Sequence, residues 1–305
     1  MSTWIAFTVL AALMQAVRTA GQKQLTSSVS PMSSTLIRYI FGLPFALLYL
    51  LYVSGPDAPT QLSGAVSSSR FLIFASLASL AQILATFLLI KVFSFRNFTV
   101  GTSFAKTEAI QAAVLGTLVF GSALSAIGWL AVAIGFLGIF VVSIPAREGR
   151  WEPMNIVLGT LSGTAFAFTS LWLREASLSL QLPALQSAAI TLVFMVSLQT
   201  LVCLTYTSLK EPQQFNAIAG RLKLAWFVGF TSAAGSVGWF TAMTLQNPAL
   251  VKSLGQIEFI FTLLLTTLFF KERVTTREMF GVAGIIVSVI LILLTNVIPA
   301  QARMT

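Results

Sequence analysis

The sequence predicts an all-α membrane protein: ten transmembrane helices arranged as two inverted five-helix repeats. Three observations predict it. The 305 residues are 56% hydrophobic and only 9% charged. The apolar residues gather in ten runs long enough to cross a bilayer. Slid along itself by 150 positions, the chain lays one intramembrane glutamate on another.

Composition sets the class. A soluble domain carries about 25% charged residues. With a mean hydropathy of +0.89 this chain cannot coat a water-facing globule. The net charge is +9, but the basic residues sit mainly between apolar runs. Lipid headgroups are their expected partners, and no basic footprint points to nucleic acid. There is no histidine, and Cys203 is the one cysteine. Zinc and iron–sulfur sites need several such ligands, so neither a metal nor another cofactor is expected. Cys203 lies in an apolar run and reads as packing.

The first five spans are Trp4–Ala20, Thr35–Val53, Phe71–Ile90, Val100–Phe120 and Leu124–Ile144. The second five are Ile156–Leu173, Pro183–Tyr206, Leu224–Thr244, Ala249–Phe270 and Met279–Val297. Each must be helical, because lipid offers the backbone no hydrogen-bond partner. The first span lacks a preceding basic residue and a clear cleavage site, so it reads as a retained helix. Two long connections, Gly55–Ser69 and Ser208–Arg221, follow the second and seventh spans. The turn-rich "PAREGRWEP" (Pro145–Pro153) divides the chain into domains of residues 1–146 and 147–305.

The repeat rests on nine identities over residues 103–133 at the 150-residue offset. They include Ser103 with Ser253, Glu108 with Glu258, Thr117 with Thr267 and Phe120 with Phe270. Pro31 and Pro183 both sit just before the second helix of each half. Five spans per half is odd, so the second half enters the membrane from the opposite side. Inverted repeats of this kind place transport sites at mid-depth on the repeat interface.

"FFKERVTTREMFGVAGIIVSVILIL" (Phe269–Leu293) resembles the closing part of the EamA domain of the drug/metabolite transporter superfamily. Glu272 takes the place of the acidic residue at the helix end, and Gly281 opens the next helix. "WFTAMTLQNPALVKSLGQIEFIFTLLLTTLFF" (Trp239–Phe270) is similar too, with Ala242 and Pro248 at the family's positions. The first half is more diverged, and Ser122 stands where the pattern has its acid. The resemblance covers nearly the whole chain. It implies an integral, multi-pass transporter of the cell (inner) membrane and leaves the substrate open. It also implies a cavity between the first, third, fourth, sixth, eighth and ninth helices.

Charged residues inside spans point to function. Glu108 and Glu258 lie about 12 Å deep in continuous helices. A charge facing lipid there costs at least about 2.5 kcal/mol, so each should face a cavity or a partner. Helical spacing puts Gln111 on the Glu108 face. Lys106 stands about 200° away around the helix and must find another partner. The purely structural alternative is a packing ion pair such as Glu108 with Arg38. Lys252 and Gln256 share a face, and Gln15 and Gln82 add polar groups. Arg18 and Lys252 lie near helix ends, where snorkelling to headgroups is expected. Trp172, Trp226 and Trp239 fit an interfacial belt, though Trp239 could line the cavity. Gly128, Gly135, Gly138, Gly281 and Gly284 read as close helix packing or a homodimer face.

Eleven basic residues fall in loops after odd spans and three in even loops or the tail. That distribution places both termini outside, whereas the resemblance implies termini inside.

The functional expectation is a secondary transporter, an exporter or antiporter, of a small polar metabolite such as an amino acid or organic anion. It alternates access by rocking one repeat against the other. Glu108 and Glu258 would carry protons, and Lys106 with Arg38 would attract a carboxylate or phosphate. A proton-independent exchanger is the alternative. A membrane-embedded lipid-handling enzyme is the minor one, because acid/base chemistry would rest on two glutamates alone.

Overall fold

The computed structural model describes residues 2–93, 104–122, 124–143, 153–261, 264 and 276–301. Among them every regular element is helical. The first repeat contains α1 (Thr3–Leu25), α2 (Pro31–Ile40), α3 (Leu43–Ser54), α4 (Ala58–Ser67), α5 (Ser69–Phe93), α6 (Glu108–Phe120) and α7 (Ala126–Ser143). The second contains α8 (Pro153–Ser179), α9 (Ala184–Lys210), α10 (Gln214–Ala219), α11 (Leu222–Leu245), α12 (Pro248–Leu254) and α13 (Thr276–Gln301).

Among the described residues, length and apolarity alone qualify five stretches to cross a membrane: Thr3–Leu25, Pro31–Ser67, Ser69–Val92, Pro153–Ser179 and Ala184–Lys210. Shorter apolar helices accompany them. The outer surface agrees with a lipid setting. Leu48, Leu51, Leu118, Val119, Leu201 and Phe280 are all more than half exposed. Large apolar side chains exposed on this many helices suit contact with acyl chains.

Local chemistry explains the element ends. Ser30 Oγ accepts from the Ser33 amide at 3.1 Å, and Pro31 opens α2. Asn247 Oδ1 accepts from the Ala249 amide at 2.9 Å, and Pro248 opens α12. Proline suits the first helical turn because its missing N–H would be unpaired there anyway. Pro44 has the opposite effect within the second span. It lacks a donor and crowds the carbonyl four residues back, so α2 and α3 separate at Phe41–Gly42. The second span is therefore broken rather than continuous.

The two long connections also differ from the expected loops. Gly55–Ser69 contains a 3₁₀ turn and then α4, while Ser208–Arg221 contains α10. Both short helices occupy the same place in their repeats.

Packing pairs obey the repeat. α1 packs along α11, and α8 packs along α5. Exchanging the repeats turns the first pair into the second. α6 packs on α12, α7 on α13, and α2 and α3 on α9; exchange leaves each of these unchanged. The helices are thus arranged as a two-fold pairing of equivalents, which bears out the repeat seen in the sequence.

Glycines set the closest crossings. A Cβ on Gly138 would lie 2.8 Å from the Gly281 carbonyl oxygen. One on Gly284 would lie 3.2 Å from the Gly138 Cα. These glycines therefore serve intramolecular contact between α7 and α13. A Cβ on Gly238 would meet the Phe7 carbonyl oxygen at 2.5 Å, which explains the tight α1–α11 pair. Residues 144–152 lie outside the described residues, so the repeat junction does too, as does Glu272.

Candidate functional site

Two helix breaks organise the site. Phe104 and Ala105 are helical, Lys106 and Thr107 turn, and α6 starts at Glu108. In the second repeat α12 ends at Leu254, a 3₁₀ turn covers Gly255–Ile257, and helix resumes at Glu258. At the 150-residue offset the first break falls on Gln256–Ile257. Both helices therefore give way immediately before their glutamate. The sequence reading of continuous fourth and ninth helices is corrected here, and with it the helical wheel drawn across Lys106 and Glu108.

The breaks are stabilised by side chains and by space. Thr107 Oγ1 donates to the Phe104 carbonyl oxygen at 2.6 Å, and Gln111 Nε2 donates to Thr107 Oγ1 at 2.6 Å. These bonds compete with the regular ladder. Across from them, Gly163 of α8 lets the broken strand approach; a Cβ there would lie 3.0 Å from the Ala105 carbonyl oxygen. Gly255 performs the equivalent service for Trp239, whose Cη2 would lie 2.3 Å from an added Cβ.

The charged groups pair crosswise between repeats. Lys106 Nζ is 2.5 Å from Glu258 Oε2. Lys252 Nζ is 2.7 Å from Glu108 Oε1. Each glutamate thus takes its lysine from the other half of the chain. Side-chain exposure is 12% for Lys252, 14% for Glu108 and 9% for Glu258, against 32% for Lys106. Burial in low dielectric makes each pair costly to open one-sidedly.

Neutral groups fix these ions. Gln15 Nε2 donates to Glu258 Oε2 at 2.6 Å, and Trp239 Nε1 donates to Gln15 Oε1 at 2.9 Å. The indole therefore sets which way the Gln15 amide points. Ser170 Oγ donates to Glu108 Oε1 at 3.2 Å. Lys252 Nζ stands 4.3 Å from the centre of the Trp239 ring, within cation–π range.

Around these groups lies a cavity of about 80 Å³. Gln15, Arg18, Thr19, Leu89, Ala105, Lys106, Glu108, Phe166, Lys252 and Glu258 line it. A lobe of about 20 Å³ adds Ala109, Trp239, Gly255 and Gln256. A third, of about 30 Å³, reaches Arg38, Gln82, Ser170 and Ser236. Gln15 and Lys252 border all three. At roughly 10–15 Å³ per water the main chamber has room for a few waters or a small ligand fragment. The main chamber is walled by the first, third, fourth, sixth and ninth spans; the other two add the eighth, through Trp239, and the third of them adds Arg38 from the second.

Most of the residues singled out in the sequence meet here: Glu108, Glu258, Lys106, Gln15, Trp239, Gln256, Gln82 and Arg38. Gln82 is tied to Gln199, whose Nε2 donates at 2.7 Å. Arg38 is not paired with Glu108; its Nη1 donates to Thr86 Oγ1 at 2.8 Å. Gln111 is absent from the cavity wall and serves the turn at Thr107 instead. Trp239 is 7% exposed and belongs to the cavity rather than to an interfacial belt. Trp226 does face outward, packed edge-on against Phe41 at 5.0 Å.

Lys252 and Arg18 correct the snorkelling expectation, and Arg18 is 4% exposed. Lys252 lies only four residues into α12, yet nearly all of α12 is buried. Proximity to a helix start therefore did not mean proximity to headgroups. The charge inventory carried the missing signal: two buried acids and one deep lysine require another cation. Ser170, Phe166 and Thr19 had no such signal and were missed.

The model of the EamA-like transporter family matches residues 2–144 and 153–294. A solved structure described as "Crystal structure of protein" superposes with a TM-score of 0.73, covering 95% of each chain at 13% identity. At that identity the likeness shows the fold alone. No curated protein sequence matches.

Proposed function

This chain belongs to the EamA-like transporter family and is a multi-pass membrane transporter of the drug/metabolite transporter superfamily; on that premise we propose that it moves a small polar metabolite by alternating access through the cavity around Glu108 and Glu258. One observation carries the reading: the repeats are tied at the cavity by two crossed lysine–glutamate pairs, each at a helix break. The units that rock are the two halves, residues 1–146 and 147–305. When they separate, both pairs must part together.

The chemistry supplies a trigger. A proton arriving at Glu258 removes its attraction for Lys106, and one at Glu108 removes its hold on Lys252. A substrate carboxylate or phosphate can compete for the same lysines. Proton and substrate thereby act on the same two contacts, which favours antiport. Gln15 and Trp239 hold Glu258 and Lys252 in position while this exchange occurs.

The test is flux in proteoliposomes with and without an imposed proton gradient. Proton antiport predicts gradient-driven movement that Glu108→Gln loses. Equal flux under both conditions would select the proton-independent exchanger. Consumption of a lipid with no solute movement would replace transport with enzymatic handling.

A further inference from the structure

Among the described residues, four cationic side chains line these adjoining cavities, against two carboxylates. Lys106 and Lys252 are matched by Glu258 and Glu108. Arg18 and Arg38 are the surplus, exposed by only 4% and 5%. Arg18 makes no hydrogen bond or salt bridge among the described residues, and its Nε is buried without a partner. Arg38 has the neutral Thr86 hydroxyl, which accepts one bond but supplies no charge. Both arginines border the same lobe with Gln82 and Ser236.

Two buried guanidinium groups facing one space repel each other. Glu258 is already engaged by Lys106 and Gln15. An unneutralised buried charge is costly to keep. Arginine is always protonated and presents a planar fork matched to carboxylate and phosphate oxygens.

We propose that Arg18 and Arg38 form the docking site for an oxyanion, so that the transported metabolite is a small organic anion whose carboxylate or phosphate sits between them. This rests on reading the cavity as the transport site. It adds Arg18 to the anion-attracting groups; at rest Lys106 is held by Glu258, so an arriving oxyanion meets the arginines before it competes for the lysines. The crossed lysine–glutamate pairs then act at the repeat interface while the arginines hold the cargo.

The experiment is thermal unfolding of the purified full-length protein in detergent at constant ionic strength. The probes are millimolar acetate, inorganic phosphate and glycerol 3-phosphate, each compared with acetamide, glycerol or chloride. At least one oxyanion should raise Tm saturably while the neutral compounds do not. Arg18→Gln and Arg38→Gln should each weaken that apparent affinity about ten-fold or more, as expected for a lost charged hydrogen bond. Arg70→Gln, at a surface position 67% exposed, should leave it unchanged. Without ligand, Arg18→Gln should unfold no lower than the native protein, because a buried unmatched charge has been removed.

The proposal is overturned if no oxyanion stabilises the native protein saturably, or if both arginine variants keep its affinity. It is also overturned if Arg18→Gln cannot be obtained folded, which would make Arg18 structural. Failure here leaves transport to be judged by flux. Anion binding without any flux would sink the transport reading and leave the site.

Discussion

Lys252 and Glu108 come from opposite halves of the chain and meet at 2.7 Å, with Lys252 Nζ 4.3 Å from the Trp239 ring centre. Its counterpart joins Lys106 to Glu258 at 2.5 Å. The two bridges cross the repeat interface in opposite senses. Any motion that separates the repeats must answer to both.

Glu108→Gln should lower thermal stability by about 3–5 kcal/mol, because Lys252 is left charged and buried. Retained contact with Trp239 would soften that loss. The double variant Glu108→Gln with Lys252→Gln should recover much of it. Thermal unfolding of the four members of the cycle measures the coupling. Strict additivity would mean the pair contributes nothing.

Reversing the other pair tests geometry against charge. Lys106→Glu alone places two carboxylates together and should abolish flux. Adding Glu258→Lys restores opposite charges across the same interface. Stability should return towards the native value, whereas transport should return only in part, since Gln15 Nε2 would then face a cation. Liposome flux and Tm, measured together, separate these effects.

Gly255→Ala should be far more harmful than its size suggests. The new Cβ would lie 2.3 Å from Trp239 Cη2. The ring must move, taking its hydrogen bond to Gln15 with it. Overpacking of this kind costs about 1–3 kcal/mol. Tryptophan fluorescence of the variant should shift, and an unchanged spectrum and Tm would refute the contact.

Trp239→Phe isolates the indole N–H. The aromatic face over Lys252 survives, but Gln15 Oε1 loses its donor. Stability should fall by about 1 kcal/mol. The larger effect should be on flux, since the Gln15 amide could then rotate away from Glu258.

The sequence made the membrane class, the repeat and the deep glutamates legible, because each depends on composition or on spacing along the chain. Glu108 and Glu258 stood out as acids in apolar runs. Their partners did not, because Lys252 and Lys106 are chosen by how one half packs on the other. The helix breaks at Lys106–Thr107 and Gly255–Ile257 were equally hidden. Neither contains a proline, and they depend on Thr107 bonding and on Gly163 and Gly255 accepting close neighbours. Gln111 does share α6 with Glu108, but its amide is taken by Thr107 Oγ1 at the break, a bond that helical spacing does not show. Arg18 was misjudged by its distance from a helix end, although the surrounding helices bury it.

The central claim is that this cavity is wet and opens to each side of the membrane in turn. Thr19 lines it and carries no charge. Cys203 is the one native cysteine, so Cys203→Ala gives a clean background. Thr19→Cys in that background should react with a membrane-impermeant thiol reagent in both right-side-out and inside-out vesicles. Driving the protein towards one side with a solute or proton gradient should raise labelling there and lower it on the other. Reaction from one face under every gradient, or from neither, would contradict the account.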